Sequence, residues 1–461
     1  MVRVRLLAAA CAAVTTLSLL AATPAIAHQG AGLTASARGH ATALTPPVDP
    51  TQGNITVTVS YGGQALSPNG DVRVSFWLLD EDLGLYVEQP HGTWTFDGAQ
   101  WASSDLAPGR YAVRFLADST DVGLEWWDGG RYFEESIDVV VTAGATAGLG
   151  AVTLDERTLD IGRLSGADRF ATAVELSTVI APDDSAITVY LADGMNYPDA
   201  LAAGPAAIAQ GGVLLLTRRD SLPDVTRREL ERIRPARVVI VGGAGAVSAA
   251  VEADVTATLP GAQVDRAAGA TRYETGEEVV RDAFPEGAVT ALVATGRNYP
   301  DALAAGPAAG VAGAPVILVD GAASAVSAAT MTLLDDLGVE EVFIVGGKGA
   351  VSPGVEASLG TRFGTGVHRV DGATRYETAA NLNWAFFEVA ERAFLASGQN
   401  FPDALAGAPL AGAFGAPLFL SPSACFGLDA AFGVYDARSN GVWLLGGSGA
   451  LSPNVEAFGL C

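Results

Sequence analysis

Residues 296–309 have the sequence GRNYPDALAAGPAA, and two close copies of this stretch occur elsewhere, GMNYPDALAAGPAA at 194–207 and GQNFPDALAGAPLA at 398–411. Each copy joins an Asn-aromatic-Pro-Asp turn to an Ala-rich segment with the character of a helix. The copies are 102 residues apart, which is long enough for each repeated unit to have its own hydrophobic core. The stretch therefore predicts one structural unit that is present three times.

Two further elements recur with nearly the same spacing. One precedes the turn and contains an arginine; its copies are RLSGADRFATA at 163–173, AGATRYETG at 268–276 and DGATRYETA at 371–379. The other follows the turn and is rich in glycine; its copies are VIVGGAGAVS at 239–248, FIVGGKGAVS at 343–352 and WLLGGSGALS at 443–452. Because a catalytic centre is normally single, a threefold repetition favours multivalent binding or a structural array.

Apolar strands alternate with helical patterns within each repeat. The first repeat contains the strands AITVYLADG, GVLLLT and ARVVIVGG, separated by the helical segments DALAAGPAAIAQG and DVTRRELERI. Continuously apolar strands are typical of parallel sheets that are covered on both faces, so each repeat is predicted to be a small Rossmann-like α/β unit. We predict three units, at 155–267, 268–370 and 371–461, packed around a pseudo-threefold axis.

The chain ahead of the repeats divides into three segments. Residues 1–27 have a basic start, an apolar run and an A-x-A site, which indicate a signal peptide, and residues 28–50 indicate a flexible linker. Short alternating runs separated by Gly, Asn, Pro and Asp predict a small antiparallel β-sandwich over 51–154. Its segment LAPGRYAVRF resembles the carboxypeptidase-regulatory-like or collagen-adhesin B-type sandwich modules. No later stretch is apolar enough to predict a membrane span.

Charge and cysteine content narrow the class of protein. The formal net charge is −24, and Lys348 is the only lysine. An acidic surface repels nucleic acid and anionic lipid at long range, so an anionic partner must be bound locally by arginines in a shielded groove or through bridging cations. Beyond residue 27 the cysteines are Cys425 and Cys461, which predict a disulfide in an oxidising compartment, with two free buried thiols as the alternative.

The recurring element with an arginine has the pattern of a helix start. Thr271 stands at the N-cap position and Glu274 follows at the capping-box spacing. The arginine then takes the first helical position, where its charge opposes the helix dipole, so its presence in all copies indicates an assigned partner. That partner is either the Asp of the NYPDA turn, in a salt bridge, or a phosphate or carboxylate of a ligand. The three residues are Arg169, Arg272 and Arg375.

The NYPDA turn carries an asparagine and an aspartate three residues apart. Proline between them restricts the backbone, and the favoured interpretation is that the aspartate caps the Ala-rich helix that follows. Since the turn follows the carboxyl end of a strand, where open α/β sheets bind ligands, contact with sugar hydroxyls is the alternative. The residues are Asn196, Asp199, Asn298, Asp301, Asn400 and Asp403.

The glycine-rich element is similar to a dinucleotide-binding loop, but a serine replaces the third glycine and no acid follows reliably at the ribose-binding distance. These serines are better explained as helix N-caps with a glutamate in the first turn: Ser248 with Glu252, Ser352 with Glu356 and Ser452 with Glu456. The four histidines are scattered, and the sequence contains no metal-binding or nucleophile motif. We therefore predict no catalytic residue, no cofactor and no metal site.

At these three elements the chain resembles the bacterial cell wall binding repeat 2 family, over residues 163–461. The resemblance implies a pseudo-trimer of Rossmann-like units that acts as a non-catalytic module and binds anionic wall polymers, such as secondary wall polysaccharide or teichoic-type chains. It also implies that the repeat arginines, with the Asn and Asp of each turn, bind the ligand. The third repeat departs from the pattern, because Phe401 replaces Tyr and Ala408-Pro409-Leu410 replaces Gly-Pro-Ala.

The sequence as a whole therefore predicts a secreted surface protein that is anchored non-covalently to the cell wall by its three repeats. The N-terminal sandwich is expected to be displayed outward or to act as a spacer. Two alternatives remain at this point. One is a wall-active hydrolase with catalytic residues in the sandwich, and the other is a self-assembling surface-layer component.

Overall fold

The computed structural model describes residues 51–461, apart from the short segments 62–63, 67–71, 81–84, 89–93, 97–99, 104–105, 118–123, 127–137 and 155–158. The predicted signal peptide and linker, at 1–27 and 28–50, lie outside the described residues. In the part of the chain that is described, no helix is both long enough and apolar enough to cross a membrane.

The N-terminal region is built from strands alone in its described residues. These are β1 (Asn54–Tyr61), β2 (Gln64–Ala65), β3 (Val72–Asp80), β4 (Leu85–Glu88), β5 (Trp94–Phe96), β6 (Trp101–Ser103), β7 (Gly109–Ala117), β8 (Leu124–Trp126), β9 (Val139–Val141) and β10 (Thr146–Thr153). They form two sheets, in the orders β10-β1-β6-β5 and β4-β3-β7-β8, with β2 paired to β1 and β9 paired to β7. Alternate residues of β1 and β7, among them Ile55, Val57 and Phe115, join one hydrophobic cluster.

One pairing in this region corrects the sequence-based expectation of an antiparallel arrangement. Strands β1 and β10 are parallel, from Asn54 opposite Thr146 to Ser60 opposite Thr153, whereas β1 pairs with β2 and β6, and β3 with β4 and β7, in the antiparallel sense. Alternation along a strand predicts which face is buried and carries no information on direction. The direction of β10 depends on its return to β1 after the chain has passed through the second sheet.

The repeat region alternates strands and helices. In chain order these are β11 (Asp160–Leu164), α1 (Arg169–Ile180), β12 (Thr188–Asp193), α2 (Ala203–Ala209), β13 (Val213–Thr217), α3 (Asp224–Ile233), β14 (Arg237–Val241), α4 (Ala249–Thr258), β15 (Gln263–Ala267), α5 (Arg272–Ala283), β16 (Thr290–Thr295), α6 (Pro300–Val311), β17 (Val316–Val319), α7 (Ala328–Asp336), β18 (Glu341–Val345), α8 (Pro353–Phe363), β19 (Val367–Val370), α9 (Arg375–Phe386), β20 (Arg392–Ser397), α10 (Pro402–Ala413), β21 (Leu418–Ser421), α11 (Leu428–Asp436), β22 (Gly441–Leu445) and α12 (Pro453–Glu456). Two 3-10 turns, Ala200–Ala202 and Gly364–Gly366, complete the set.

The strands of the repeats form three parallel sheets of four strands each, in the orders β13-β12-β14-β15, β17-β16-β18-β19 and β11-β22-β20-β21. Every residue of β13, β17 and β21 is buried, because helices cover both faces of the sheets. The prediction of three repeated α/β units with parallel sheets is confirmed.

The three sheets are linked into a ring by the strand at the start of the repeat region. In the first two sheets the edge strand beyond β14 and β18 is the one that leads into the next repeat, β15 or β19. In the third sheet that place is taken by β11, which pairs with β22 from Asp160 opposite Gly441 to Leu164 opposite Leu445. The third repeat is therefore completed by residues at the start of the first.

The Ala-rich helices α2, α6 and α10 contact one another at the centre of the ring, and small residues allow this close approach. A methyl group on Gly204 or Gly306 would lie 3.1 or 3.0 Å from the methyl group of Ala408. One turn later, the side chain of Ile208 lies against Gly310 and Gly412. At each of these two heights along the axis there is room for a side chain from one repeat, and the other two repeats have glycine. This explains why the third repeat has Ala408 where the others have glycine.

The N-terminal sheets pack directly against the third repeat. Ala112 and Leu116, on the outer face of β7, share a hydrophobic cluster with Phe432 of α11. Arg114 lies between them in sequence, is 2% exposed, and places its guanidinium 3.5 Å from the centre of the Phe432 ring and 3.5 Å from the carboxylate of Asp436. The contact is buried on both sides, so the N-terminal sheets and the third repeat share part of one hydrophobic core.

The C-terminus is held on the same repeat. A disulfide joins Cys425, which lies just ahead of α11, to Cys461, with 5.2 Å between the Cα atoms. Next to it, Phe426 and Leu460 form a parallel backbone bridge. This crosslink closes a loop of 36 residues around the short final helix α12.

Candidate functional site

The repeat arginines stand at the first residue of α1, α5 and α9, as predicted, and the caps that begin these helices are present. Asp168 accepts hydrogen bonds from the amides of Phe170 and Ala171, at 3.0 and 2.9 Å. Thr271 accepts from the amide of Glu274 at 3.3 Å, and the equivalent bond recurs in α9. In a capping box the glutamate side chain accepts from the amide of the cap residue itself. Here each glutamate accepts instead from the amide of the residue before the cap.

Each of these three arginines, here called the groove arginines, uses one N–H group on a carbonyl oxygen of its own repeat. The bonds are Arg169 to Gly194 at 2.7 Å, Arg272 to Gly296 at 2.8 Å and Arg375 to Gly398 at 2.7 Å. Among the described residues no carboxylate forms a salt bridge with a groove arginine. The remaining donors of each guanidinium are therefore available to another partner.

Each groove arginine faces a carboxylate of a neighbouring repeat, and Arg169 also acts on Asp193 of its own repeat. Each arginine acts electrostatically on the turn aspartate of the neighbouring repeat. The pairs are Arg272 with Asp199, Arg375 with Asp301 and Arg169 with Asp403. The last pair joins the first repeat to the third and follows the closure of the ring by β11. The salt-bridge interpretation of these pairs is wrong, because within the described chain they remain electrostatic neighbours without an ion pair.

A groove at the boundary between the first and second repeats collects the predicted residues. It has a volume of about 450 Å³. The first repeat contributes Asn196, Pro198 and Asp199, and the second contributes Ala270, Thr271, Arg272 and Tyr273. A larger cavity of about 560 Å³ lies near the amino ends of β14 and β15, between Arg234 and Ala262, and contains none of the predicted residues. Of these two cavities we assign the site to the smaller groove, because the repeated polar residues meet there.

The aspartates of the turns do not cap the Ala-rich helices, so the favoured interpretation of these residues is wrong. The N-cap residues of α6 and α10 are Tyr299 and Phe401, without a side-chain capping bond, and Asp199 at the start of the first 3-10 turn makes none either. Each carboxylate instead packs against a glycine of the glycine-rich element, in a conformation with φ near 100°: Gly242, Gly346 and Gly446. A side chain at these glycines would overlap the carboxylate oxygen.

Burial changes the acidity of these carboxyl groups. Burial raises the pKa of Asp301 to about 6 and that of Asp403 to about 6, although Arg375 and Arg169 act in the opposite direction. Burial also raises the pKa of Asp199, while Arg272 lowers it and Asp193 raises it. The turns of the second and third repeats therefore hold carboxyl groups that accept a proton under mildly acidic conditions.

Three aromatic rings bring the turns together at the ring axis, a feature that the sequence interpretation missed. The centroids of Tyr197, Tyr299 and Phe401 are 5.3, 5.6 and 6.0 Å apart, with their planes tilted by 56 to 68°. Tyr197 also donates its hydroxyl to the carbonyl of Arg297 at 3.1 Å. The aromatic residue in each copy of the turn was the available signal. The contact presents the exposed asparagines, Asn196, Asn298 and Asn400, around one centre.

A second triplet of arginines, the paired arginines, stands six residues before the groove arginines: Arg163, Arg266 and Arg369. Arg266 donates to the carbonyl oxygens of Gly242 and Val247, at 2.7 and 2.9 Å, and to the carboxylate of Glu252, at 2.7 Å. Arg163 and Arg369 bond in the same way to Gly446 with Glu456 and to Gly346 with Glu356. Besides compensating the helix dipole, Glu252, Glu356 and Glu456 therefore hold the paired arginines against the glycine-rich loop, on which each aspartate packs.

The serines of the glycine-rich element occupy N-cap positions, and Ser352 accepts a bond from the amide of Val355 at 3.1 Å. Ser248 and Ser452 stand at the same position without such a bond. Over the described residues, no group of three His, Cys, Asp or Glu side chains is placed to hold a metal ion.

Comparison with known proteins identifies the family of the repeats. The sequence profile of cell wall binding domain 2 (CWB2) matches residues 163–252, 266–356 and 369–456. These segments make up more than half of the chain, so the chain belongs to the CWB2 family. Its place is accordingly the cell wall, and cell wall polymer is the kind of partner that its repeats bind.

Two curated relatives from Bacillus subtilis (strain 168) share part of the chain. The N-acetylmuramoyl-L-alanine amidase LytC is 31% identical over 252 residues, which cover 54% of this chain and 48% of that protein. The amidase enhancer is 30% identical over 250 residues, which cover 54% of this chain and 33% of that protein. The chain thus spans at most about half the length of these relatives.

Two solved structures share the fold. Cwp6 from Clostridium difficile has a TM-score of 0.60 and 20% identity, and Cwp8 from the same organism has a TM-score of 0.59 and 22% identity. Each alignment covers 88% of this chain and 68% of the other. At this level of identity the likeness establishes the arrangement of the backbone alone.

Proposed function

We propose that the ring of three repeats anchors this protein non-covalently to an anionic wall polymer, without catalysis, through three grooves at the boundaries between repeats. The observation that carries this proposal is the groove arginine, which has a single carbonyl partner and faces a groove shared with the next repeat. In each groove the arginine and the Asn and Asp of the neighbouring turn bind the ligand. The three sets are Arg272 with Asn196 and Asp199, Arg375 with Asn298 and Asp301, and Arg169 with Asn400 and Asp403.

An anionic chain is the ligand that this arrangement suits. A guanidinium binds phosphate or carboxylate through two parallel N–H groups, and the amide of each asparagine adds a donor and an acceptor for sugar hydroxyls. The net charge of −24 weakens non-specific attraction of polyanions, so binding depends on these local contacts. A secondary wall polysaccharide or a teichoic-type chain has the required repeated anionic group.

Three modest sites on one ring produce strong retention. When one repeat unit of the polymer is bound, the next groove meets the same chain at a high effective concentration, so the overall affinity exceeds that of any single groove. The aromatic contact of Tyr197, Tyr299 and Phe401 keeps the three turns at constant separation. The ring therefore favours a polymer whose charges repeat along its length.

The test is retention of the protein on purified wall sacculi before and after hydrofluoric acid removes the anionic polymer. We expect retention on untreated sacculi and its loss on stripped peptidoglycan. The variant Arg169→Ala/Arg272→Ala/Arg375→Ala should lose retention. The control Arg227→Ala/Arg281→Ala/Arg362→Ala removes the same charge from exposed arginines outside the grooves and should be retained. Retention on stripped peptidoglycan would overturn polymer recognition.

We also infer that residues 1–27 direct export and that residues 51–154 form a β-sandwich that accompanies the ring. The two sheets with a shared core support the second inference. Mass spectrometry of the protein recovered from cell walls should give a first residue near His28. A first residue at Met1 would contradict the export signal.

Wall hydrolysis is the second candidate function, and it is favoured by the similarity to a relative named as an amidase. The test is a zymogram with wall material in the gel. Clearing by the purified protein would establish hydrolysis and overturn the non-catalytic proposal, whereas the anchoring proposal predicts an intact gel together with retention on sacculi.

A further inference from the structure

The carboxyl groups in the grooves lack the partners that buried carboxylates normally have. Asp301 is 9% exposed, and among the described residues no donor forms a hydrogen bond or salt bridge with its side chain. Its carboxylate packs against the backbone of Gly346, and the charge of Arg375 acts on it. Buried polar groups are paired in most native proteins. The equivalent Asp199, which also has no bonded partner among the described residues, lines the groove between the first two repeats, so these carboxyl groups indicate a partner outside the chain.

The charged groups around each carboxyl are few. Arg375 faces Asp301, and Arg169 faces Asp403. Asp199 faces both Arg272 and Asp193. When the carboxyl is ionised, it partly neutralises the arginine that is meant to attract the polymer, and it repels a second anion at short range. An ionised aspartate and a bound anion are therefore competitors for the same guanidinium.

We propose that each groove binds the anionic group of the polymer together with a proton, and that the carboxyl of Asp199, Asp301 or Asp403 takes up this proton. The proton comes from solvent and returns to it on release. In the bound state the arginine donates N–H groups to the anion, and the neutral carboxyl donates its O–H to an oxygen of the same anion. This inference rests on the proposed function and adds a regulation of the same site by pH.

The direction of the pH effect follows from linkage. Burial has already raised the pKa of Asp301 and of Asp403 to about 6, and a bound anion raises the pKa further. Below about pH 6 the carboxyl groups of Asp301 and Asp403 are neutral before binding, so their effect on the affinity is constant there. Above that value each binding event requires a proton, and the affinity falls by up to about tenfold per pH unit for each coupled carboxyl. Anchoring is strongest in a mildly acidic wall and weakens in an alkaline one.

The experiment compares binding of the full chain to untreated wall sacculi at pH 5.5 and pH 8. We expect the dissociation constant of the natural protein to be at least about tenfold larger at pH 8. The variant Asp199→Asn/Asp301→Asn/Asp403→Asn keeps a hydrogen-bond donor and cannot titrate. It should lose the pH dependence, with equal dissociation constants at the two pH values. Because the sacculi are the same, titration of the polymer itself affects both proteins alike.

Two further measurements make the result specific. Calorimetry with polymer released from the sacculi, in two buffers of different ionisation enthalpy near pH 7, should show net proton uptake by the natural protein and none by the Asn variant. The control Asp254→Asn/Asp335→Asn changes exposed acids outside the grooves and should keep the natural pH dependence. Circular dichroism at both pH values establishes that all variants are folded.

The failures are distinguishable. If the natural protein binds sacculi with one affinity from pH 5.5 to pH 8, and the triple Arg→Ala variant still does not bind, the proton-coupled binding is wrong and the anchoring proposal stands. If the Asn variant follows the same pH profile as the natural protein, the aspartates are not the groups that titrate, and the inference is again wrong. If the natural protein is not retained at either pH, the proposed function itself fails.

Discussion

The paired arginines and the groove arginines are the same residue type, six positions apart, in each of three repeats, yet their surroundings differ completely. Arg266 is held by two carbonyl oxygens and a glutamate, whereas Arg272 has one carbonyl partner and borders an open groove. Both kinds recur in every repeat, so repetition alone does not separate a structural residue from a binding residue. The two kinds of arginine are distinguished by the number of hydrogen-bond partners that each guanidinium has within the described chain.

The difference has a physical origin in the loop that each arginine serves. The paired arginine lies beside the glycine-rich loop and donates to carbonyl oxygens of that loop, which is a common cause of arginine burial. The groove arginine lies at a helix start, where the dipole opposes its charge, and receives little compensation from within the chain. A site that is unfavourable for a cation in the free protein is a site where an anionic ligand restores the balance.

The largest effect that tests this comparison is the loss of a paired arginine. Arg266→Ala leaves Glu252 and two carbonyl oxygens without their donor, and we expect the free energy of unfolding to fall by about 3 kcal/mol. Urea unfolding followed by circular dichroism measures this change. A loss below about 0.5 kcal/mol would show that the paired arginines do not have the structural role assigned to them.

Substitution of the aspartate beside a groove arginine should change the free energy of unfolding in the opposite direction. The pKa of Asp301 is about 6 in the folded protein and 3.8 as the ordinary value, so the carboxyl contributes stability that is complete below about pH 4 and is lost as the pH rises through 6. Asp301→Asn should therefore raise the free energy of unfolding by about 2 kcal/mol at pH 7.5. The gain should vanish at pH 4, and unfolding curves at the two pH values give the difference.

Loss of one groove arginine should affect binding much more than folding. Arg272→Ala removes one of three sites, and we expect retention on sacculi to weaken by about tenfold, with a change in unfolding free energy below about 0.5 kcal/mol. A binding isotherm on sacculi and a thermal melt of the same sample measure both quantities. If the melt shifts strongly and binding does not, the two kinds of arginine have the reverse of the proposed roles.

The smallest effect concerns the partner of a paired arginine. Glu252→Gln keeps the shape of the side chain and an acceptor for Arg266 but removes the charge, so the free energy of unfolding should fall by about 1 kcal/mol. The contrast with Asp301→Asn is the decisive observation, because the same kind of substitution should stabilise one carboxylate position and destabilise the other. If both substitutions change the free energy of unfolding in the same direction, the distinction between the paired and the groove arginines is wrong.

Much of the fold was predictable because its signals are local. Capping residues such as Thr271, continuous apolar strands such as β13 and the threefold spacing act over a few neighbouring residues or by simple repetition, and the structure has them in the expected places. The candidate residues of the grooves were also identified as types. The Asp of the turn was one of the two partners expected for the arginine. The repeat that supplies it was not predicted, because the two residues lie far apart in the sequence and no local rule orders one repeat against the next.

The amino-acid sequence alone predicts three α/β units, the helix starts, the apolar strands and the arginines, asparagines and aspartates that recur in them. Three features appear only in the folded molecule: β11 completes the third sheet, β10 runs parallel to β1, and each groove arginine faces the aspartate of a neighbouring repeat. The reason is that hydrophobic periodicity and capping depend on neighbours along the chain. Ring closure, strand direction and the burial of a carboxyl depend instead on which distant surfaces pack together.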